Sequence, residues 1–469
     1  MKRYPREEFT EVIIVMKAKK EHYGFFTVLS MIIGIVIGSG IFFKSPVILT
    51  KTGGSVGYGV AAFCMLALSI VFGCLTLSEL SVRTVKNGGA VGYFEDFISP
   101  RIAAGFGWFQ TFVYLPALAA VVAWVVGVYT CLIFTGRPQS LGAEVSIGIG
   151  WVIVLFAVNI LSVKLGGYLQ NATMMIKLIP LLLIAAGGLV WGASHGSPPA
   201  APVTVRPVAG LGWMAALPAI AFSFDGWIVS VVITNEVKVA KKNIPLALTV
   251  APLVILAVYV LYFVGMSAML GPQNIVAMGN GSVSEAVSKL LGTANGSGVS
   301  AAVNVLVLFA VLGVINGLVL GMLRMPQALA SKHMLPHSGR ISKIHPAINL
   351  SPLSCAICFV LTVIWTLVHY WTQSAGILAG NDVSEIAIVF SYACYTVLYI
   401  RVIILWKKGE VKSLFKGLVS PVLATIGSAI ILAGGIAANP VYTPIFFAIC
   451  FTACIIGYLY FRRFRNVDQ

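Results

Sequence analysis

Two short stretches hold the residues whose types and spacing would do chemistry. The first, IGIVIGSGIFFKSP at residues 33–46, sets Gly34, Gly38, Ser39 and Gly40 inside an apolar run that ends on Lys44 and Pro46. The second, LPAIAFSFDGWIVSVVITNE at 217–236, sets Asp225 and Gly226 near the middle of another run. A glycine in a helix interior costs about 1 kcal/mol relative to alanine, and an Asp at mid-bilayer about 2.5–3.5 kcal/mol on insertion scales. Both stretches therefore read as helices that unwind. Unwinding frees backbone N–H and C=O groups that hydrocarbon cannot satisfy and that a zwitterion can. The N–H groups from Ser39 to Ile41 would begin the outer half of the first helix and suit a carboxylate. The carbonyls of Val36 and Ile37 would end its inner half and suit an ammonium, and those of Phe222 and Ser223 would end the outer half of the second helix in the same way. Glycine is expected where a ligand's α carbon touches the backbone. Taken alone, GIVIGSG reads as a small-residue face for tight helix packing; its pairing with FSFDGW favours a binding site for an α-amino acid.

Two ionisable side chains lie at membrane depth. Lys177, in TMMIKLIPLLLIAAGG, falls about eight residues into its run, roughly 12 Å along a helix. That is deeper than a lysine stem covers when it snorkels to an interface. The Asp225 carboxylate would assist a substrate ammonium, pair with Lys177, carry a proton, or cap the second half of its own helix; the sequence leaves these four roles open.

The elements that must position these residues follow from composition. The chain of 469 residues is 59% hydrophobic and only 10% charged, where soluble domains carry about 25% charged residues. Apolar runs of 18 or more residues recur from residue 25 to residue 461, each long enough to cross about 30 Å of hydrocarbon as a helix. The alternating segments of a β-barrel are absent. The expected fold is an all-α polytopic membrane protein with twelve transmembrane helices. These fall near 26–50, 56–80, 103–133, 145–163, 169–192, 211–235, 246–270, 299–322, 352–371, 384–406, 419–438 and 441–462. With the N-terminus inside, 25 of the 31 Lys and Arg residues sort to the cytoplasmic side. Only Lys44, Lys51, Arg137, Arg206 and Lys289 sort outside, the bias of the positive-inside rule. That distribution accounts for the net charge of +16, and no nucleic-acid partner is expected. Residues 1–25 read as a cytoplasmic tail without a cleavable signal peptide, and 463–469 as a second cytoplasmic tail.

The interruptions at Gly38–Gly40 and Phe224–Gly226 lie five spans apart, so their helices run in opposite directions. Paired interruptions in two inverted halves are the best sequence pointer to a secondary-transporter site. The halves are 26–192 and 211–406, followed by a final helix pair at 419–462. The two motifs resemble those of the amino acid–polyamine–organocation superfamily. More narrowly they resemble the L-amino-acid transporter family and its bacterial serine/threonine and alanine/serine/cysteine exchangers. VKNGGAVGYFED at 85–96 and INGLVLGMLRMPQALASKHMLP at 315–336 are similar to two further stretches of that family. The resemblance implies a LeuT-type fold of five plus five inverted helices, with helices 1 and 6 unwound, plus two C-terminal helices. It implies a substrate carboxylate on Gly38, Ser39 and Gly40, an ammonium on Val36, Ile37 and the Phe222 carbonyl, and Phe222 as an aromatic gate. It also implies that the Lys177 ammonium stands where sodium-coupled relatives bind sodium, bonded to the unwound backbone of helix 1.

The expected function is then sodium-independent exchange of small neutral L-amino acids (the Ala, Ser, Cys and Thr class) across the cytoplasmic inner membrane, by alternating access. A proton-coupled symporter of the same fold is the alternative. A channel would need rings of polar residues, and an enzyme a nucleophile–base pair or metal set; neither pattern is present. No cofactor is expected. Several animal members carry Gly where Asp225 stands, and animal members dock a glycoprotein through a cysteine between helices 3 and 4. The corresponding loop here, FTGRPQSLGAEVS, holds none, so no covalent glycoprotein partner is expected, and the protein is read as a monomer or weak oligomer. Glu79, Arg83, Glu95 and Asp96 read either as cytoplasmic pairs that close an inner gate or as ordinary surface charges. Trp227 and Tyr395 read as pocket lining or packing. The eight cysteines, all in apolar runs, read as packing residues, and His333, His337 and His345 as parts of an irregular loop.

Overall fold

A computed structural model describes residues 24–465 apart from 39, 85–88, 163–176, 197, 202–204, 229–239, 292–296 and 379. Among these residues the chain is helical throughout, without a β-strand, and ten helices are long and apolar enough to cross a membrane. The first apolar run forms two shorter helices instead, α1 (Phe25–Val36) and α2 (Gly40–Lys51). After α3 (Val56–Ser81), a short helix α4 (Gly89–Phe97) buries Val91, Tyr93 and Phe94, as its aromatics predict for a loop that packs inward. The long helix α5 (Pro100–Thr135) is followed by α6 (Leu141–Leu161) and α7 (Leu178–His195). The sixth run begins with a 3-10 turn at Gly212–Ala216 and continues as α8 (Leu217–Ser223). Helix α9 (Ala240–Leu270) leads into two short helices, α10 (Pro272–Met278) and α11 (Ser282–Leu290). The second of these buries Val283, Ala286 and Val287 on one face, the amphipathic pattern legible in SVSEAVSKLLG. The chain ends with α12 (Ser297–Met322), two short turns α13 (Met325–Ala330) and α14 (Ser338–Ile341), and four further long helices. These are α15 (Pro352–Ser374), α16 (Val383–Lys407), α17 (Ser420–Ala438) and α18 (Tyr442–Arg465).

Helix α5 runs through the centre and is the most buried of the ten. Small residues make that placement available, since without a hydrophobic drive between helices close backbone approach is what binds them. At Gly127 a Cβ would lie 1.8 Å from the Glu144 carbonyl oxygen of α6, so no other residue fits there. Helix α5 also widens into a π turn at Gln110–Tyr114 just before Pro116. Proline has no N–H to give the preceding turn, and the Phe112 carbonyl instead accepts the Trp365 indole N–H of α15 at 2.8 Å. A second buried cross-link, between Asn159 of α6 and Asn316 of α12 at 2.8 Å, ties the same layer together.

The loop holding His333, His337 and His345 is irregular, with the first two at φ 56° and 53°. On the same end of the bundle, Glu79 pairs with Arg83 at 2.7 Å and Lys416 at 3.2 Å, Glu95 pairs with Lys332, and Thr84 donates to Asp96. The Glu79–Lys416 and Glu95–Lys332 pairs thus tie α3 and α4 to residues far away in sequence. They are partly exposed, so each contributes about 0–1 kcal/mol.

Candidate functional site

The two interruptions fall where the sequence puts them. Helix α1 ends at Val36, and Ile37 leaves the helical region with ψ 101°. Helix α8 ends at Ser223, and the chain turns through Phe224, Asp225 and Gly226, the last at φ +97°. Ser39 lies outside the described residues, as does the stretch 229–239 that follows the second break. A break strands the last carbonyls of the preceding helix, and the structure shows where they go. Ile33 C=O still accepts the Ile37 N–H at 2.8 Å. Gly34 C=O accepts from the Lys177 ammonium. Val36 C=O lies 3.2 Å from the Tyr259 hydroxyl of α9, and the same hydroxyl lies 2.9 Å from the Ser223 carbonyl. Phe222 C=O accepts the Asp225 N–H at 3.1 Å.

Lys177 stands at the start of α7 with only 3% of its surface exposed. It does not snorkel; its ammonium reaches the end of α1. Asp225 does not pair with it. The Asp225 carboxylate accepts the Tyr114 hydroxyl of α5 at 2.6 Å and lies against its neighbour Gly226. Around this pair Trp227 packs edge-on to Tyr395, with ring centroids 5.6 Å apart, and Tyr395 packs likewise on Tyr392 at 5.9 Å.

The glycines answer to neighbouring protein. A Cβ at Gly40 would lie 2.7 Å from Ser223 Cα and 3.0 Å from Phe222 Cδ1, and one at Gly38 would lie 3.0 Å from Val314 Cγ2 of α12. At the Cβ positions of these glycines the space is filled by α8 and α12. The first break is seated directly on the second.

Lys44 departs most from expectation. The sequence puts it within the first span, on the outer side, with no partner named. The structure puts it inside α2, 2% exposed, in contact with the carboxylates of Asp382 and Glu385 at the start of α16. Its Nζ lies 4.8 Å from the centre of the Phe222 ring and 5.0 Å from that of Phe43, in cation–π range. The Phe222 and Phe43 rings meet edge-on at 5.3 Å.

Four participants escaped sequence reasoning. Tyr114 and Tyr259 sit in unbroken apolar runs with nothing to mark them. Asp382 and Glu385 did leave a signal: N-D-V-S-E opens an apolar run with an acid at the N-cap and another three residues on, the spacing of a capping box. Asp382 does cap α16, accepting the N–H groups of Ser384 and Glu385 at 3.0 Å each.

Tyr259 yields a direct prediction. Its single proton serves two carbonyls from the two breaks. Tyr259→Phe leaves both without it, at about 1–3 kcal/mol for each buried group left unsatisfied. Amino-acid affinity, read by scintillation proximity binding, is expected to fall at least tenfold, with helix content by circular dichroism unchanged.

The fold defines a multi-pass helical membrane protein in which the break between α1 and α2 lies against the end of α8. The sequence model described as amino acid permease matches residues 23–466. The chain belongs to the amino acid permease family, within the amino acid–polyamine–organocation superfamily. It is similar to the serine/threonine exchanger SteT of Bacillus subtilis, 28% identical over 417 residues, spanning 88% of this chain and 90% of that protein. It is also similar to the b(0,+)-type amino acid transporter 1 of mouse (22% over 460 residues) and of human (24% over 459 residues), each spanning 95% of this chain and 89% of the relative. These relatives are transporters, not enzymes.

Proposed function

We propose that this chain is a sodium-independent antiporter that exchanges small neutral L-amino acids, of the Ala, Ser, Cys and Thr class, across the cytoplasmic membrane. In this reading α1 and α2 are one interrupted span, and α8 begins another. With the ten long helices they make twelve, arranged as two inverted five-helix halves plus a final pair, with both termini cytoplasmic. The substrate carboxylate sits on the N–H groups of Gly38, Ser39 and Gly40. Its ammonium sits on the carbonyls of Val36, Ile37 and Phe222, with Ser223 and Asp225 beside it and Phe222 as the gate. The observation that carries the proposal is the seating of the first break on the second, Gly40 against Ser223, with the Tyr259 hydroxyl set between the Val36 and Ser223 carbonyls. Lys177 supports sodium independence: a fixed ammonium already occupies the end of α1. The exchanger among the relatives supports antiport.

The test is radiolabelled L-serine uptake into sodium-free proteoliposomes without a pH gradient. Uptake is expected only into vesicles preloaded with unlabelled Ala, Ser, Cys or Thr; equal uptake into empty vesicles would remove the exchange claim. One observation keeps proton coupling as a second reading, the buried Tyr114–Asp225 hydrogen bond. Asp225→Asn is expected to leave exchange independent of an imposed pH gradient, as in the parent chain. Gradient-driven uptake in the parent that disappears in this variant would favour the symporter.

A further inference from the structure

Among the described residues, Lys44, Asp382 and Glu385 are the buried cluster of charges that amino-acid binding, as proposed above, does not use. Lys44 stands four residues beyond Gly40, one turn along α2 from the break. The two carboxylates are fixed in place. Asp382 Oδ1 accepts two backbone N–H groups of α16 at 3.0 Å and the Ser384 hydroxyl at 2.5 Å, while Glu385 Oε2 accepts the Asn381 amide at 2.6 Å. Lys51, at the end of α2, lies in the field of Glu385, and His369 of α15 in that of Asp382. The ammonium of Lys44 thus joins three elements: its own helix α2, the start of α16, and, through the Phe222 ring, α8.

Charges so placed have two natural states. Held dry and in contact, they attract strongly because the local dielectric is low; once water enters, each is rehydrated and the attraction falls by an order of magnitude. A contact of that kind is strong closed and weak open, and its opening moves α2 and frees Phe222 together. We infer that Lys44, Asp382 and Glu385 form a latch that closes the mouth of the site on the side of the α16 N-terminus, with Lys44 as the residue that positions Phe222. The inference rests on the proposed site.

The test places a cysteine at Ser223, which is buried against Gly40, and applies a membrane-impermeant methanethiosulfonate to each face of proteoliposomes. The chain without the added cysteine gives the background from the eight native thiols. Combined with Ser223→Cys, Lys44→Gln is expected to speed modification at least tenfold from the face bearing the α16 N-terminus, and Lys44→Arg to leave it slow. Should Lys44→Gln fail to fold, the near-isosteric Glu385→Gln is used with the same two outcomes. An unchanged rate from both faces, in protein that L-serine still protects from the reagent, overturns the latch. Loss of L-serine protection with Lys44 intact counts instead against the site itself, so the two failures are separable.

Discussion

Lys177→Met is expected to reduce amino-acid exchange by about ten- to a hundredfold while leaving the protein folded. Methionine keeps most of the apolar stem and removes the ammonium. The group lost is a buried charge-assisted donor to the Gly34 carbonyl, an interaction worth about 1.5–3 kcal/mol, and that range converts to the stated fold-change. The consequence is specific because of what Gly34 is. It belongs to the last turn of α1, where the chain has no further N–H to offer its carbonyl. Without the lysine, the Gly34 carbonyl loses its side-chain donor, and the Val36 and Ile37 carbonyls next to it lose part of what fixes their position. Lys177→Arg is not expected to rescue, since the planar guanidinium has a different reach and presents a fork to a site with one acceptor. Exchange into Ser-loaded vesicles measures the loss, and the same assay with sodium added asks whether a mobile cation replaces the fixed one. Undiminished exchange by the Met variant would sink the role assigned to Lys177.

What was legible in the sequence was whatever costs free energy locally. Glycines in an apolar run and an aspartate at depth are expensive unless used, and they marked both breaks to within about two residues. Apolarity and length marked the long helices, because hydrocarbon thickness leaves few alternatives. Lys177 was legible by the same cost argument. The partners of these residues were not. Tyr114 and Tyr259 donate their hydroxyls to a carboxylate and to two backbone carbonyls across the bundle. A tyrosine in an apolar run is ordinary until its neighbour is known. The partners of Lys44 were hidden for a related reason: charge counting sorts a basic residue to one side of the membrane and says nothing of what it touches. A lysine followed by Ser-Pro looks like an exit from the membrane, yet Pro46 is accommodated within α2 and the helix continues to Lys51. Only the distant acids of α16, 338 and 341 residues away in sequence, make its burial affordable.

Gly40→Ala is the substitution expected to separate the two roles a glycine has at such a break. Were Gly40 present only so that a ligand could approach the backbone, alanine would weaken binding and leave the empty protein unchanged. The contact geometry predicts otherwise. The added methyl would meet Ser223 Cα at 2.7 Å and the Phe222 ring at 3.0 Å. The first of these atoms is backbone and cannot rotate away. The two breaks must move apart, and overpacking of this kind costs about 1–3 kcal/mol before any amino acid binds. Thermal unfolding of the detergent-solubilised, ligand-free protein should therefore shift downward, and exchange should be lost because the carbonyls of one break no longer face those of the other. Gly92→Ala, in α4, is the matched control: a Cβ there meets nothing within 4 Å, and alanine is favoured over glycine within a helix by about 1 kcal/mol. Its stability should hold or rise. An unshifted unfolding temperature for Gly40→Ala, with binding alone impaired, would mean that the close approach of α2 to α8 relaxes freely. The glycine would then be there for the ligand.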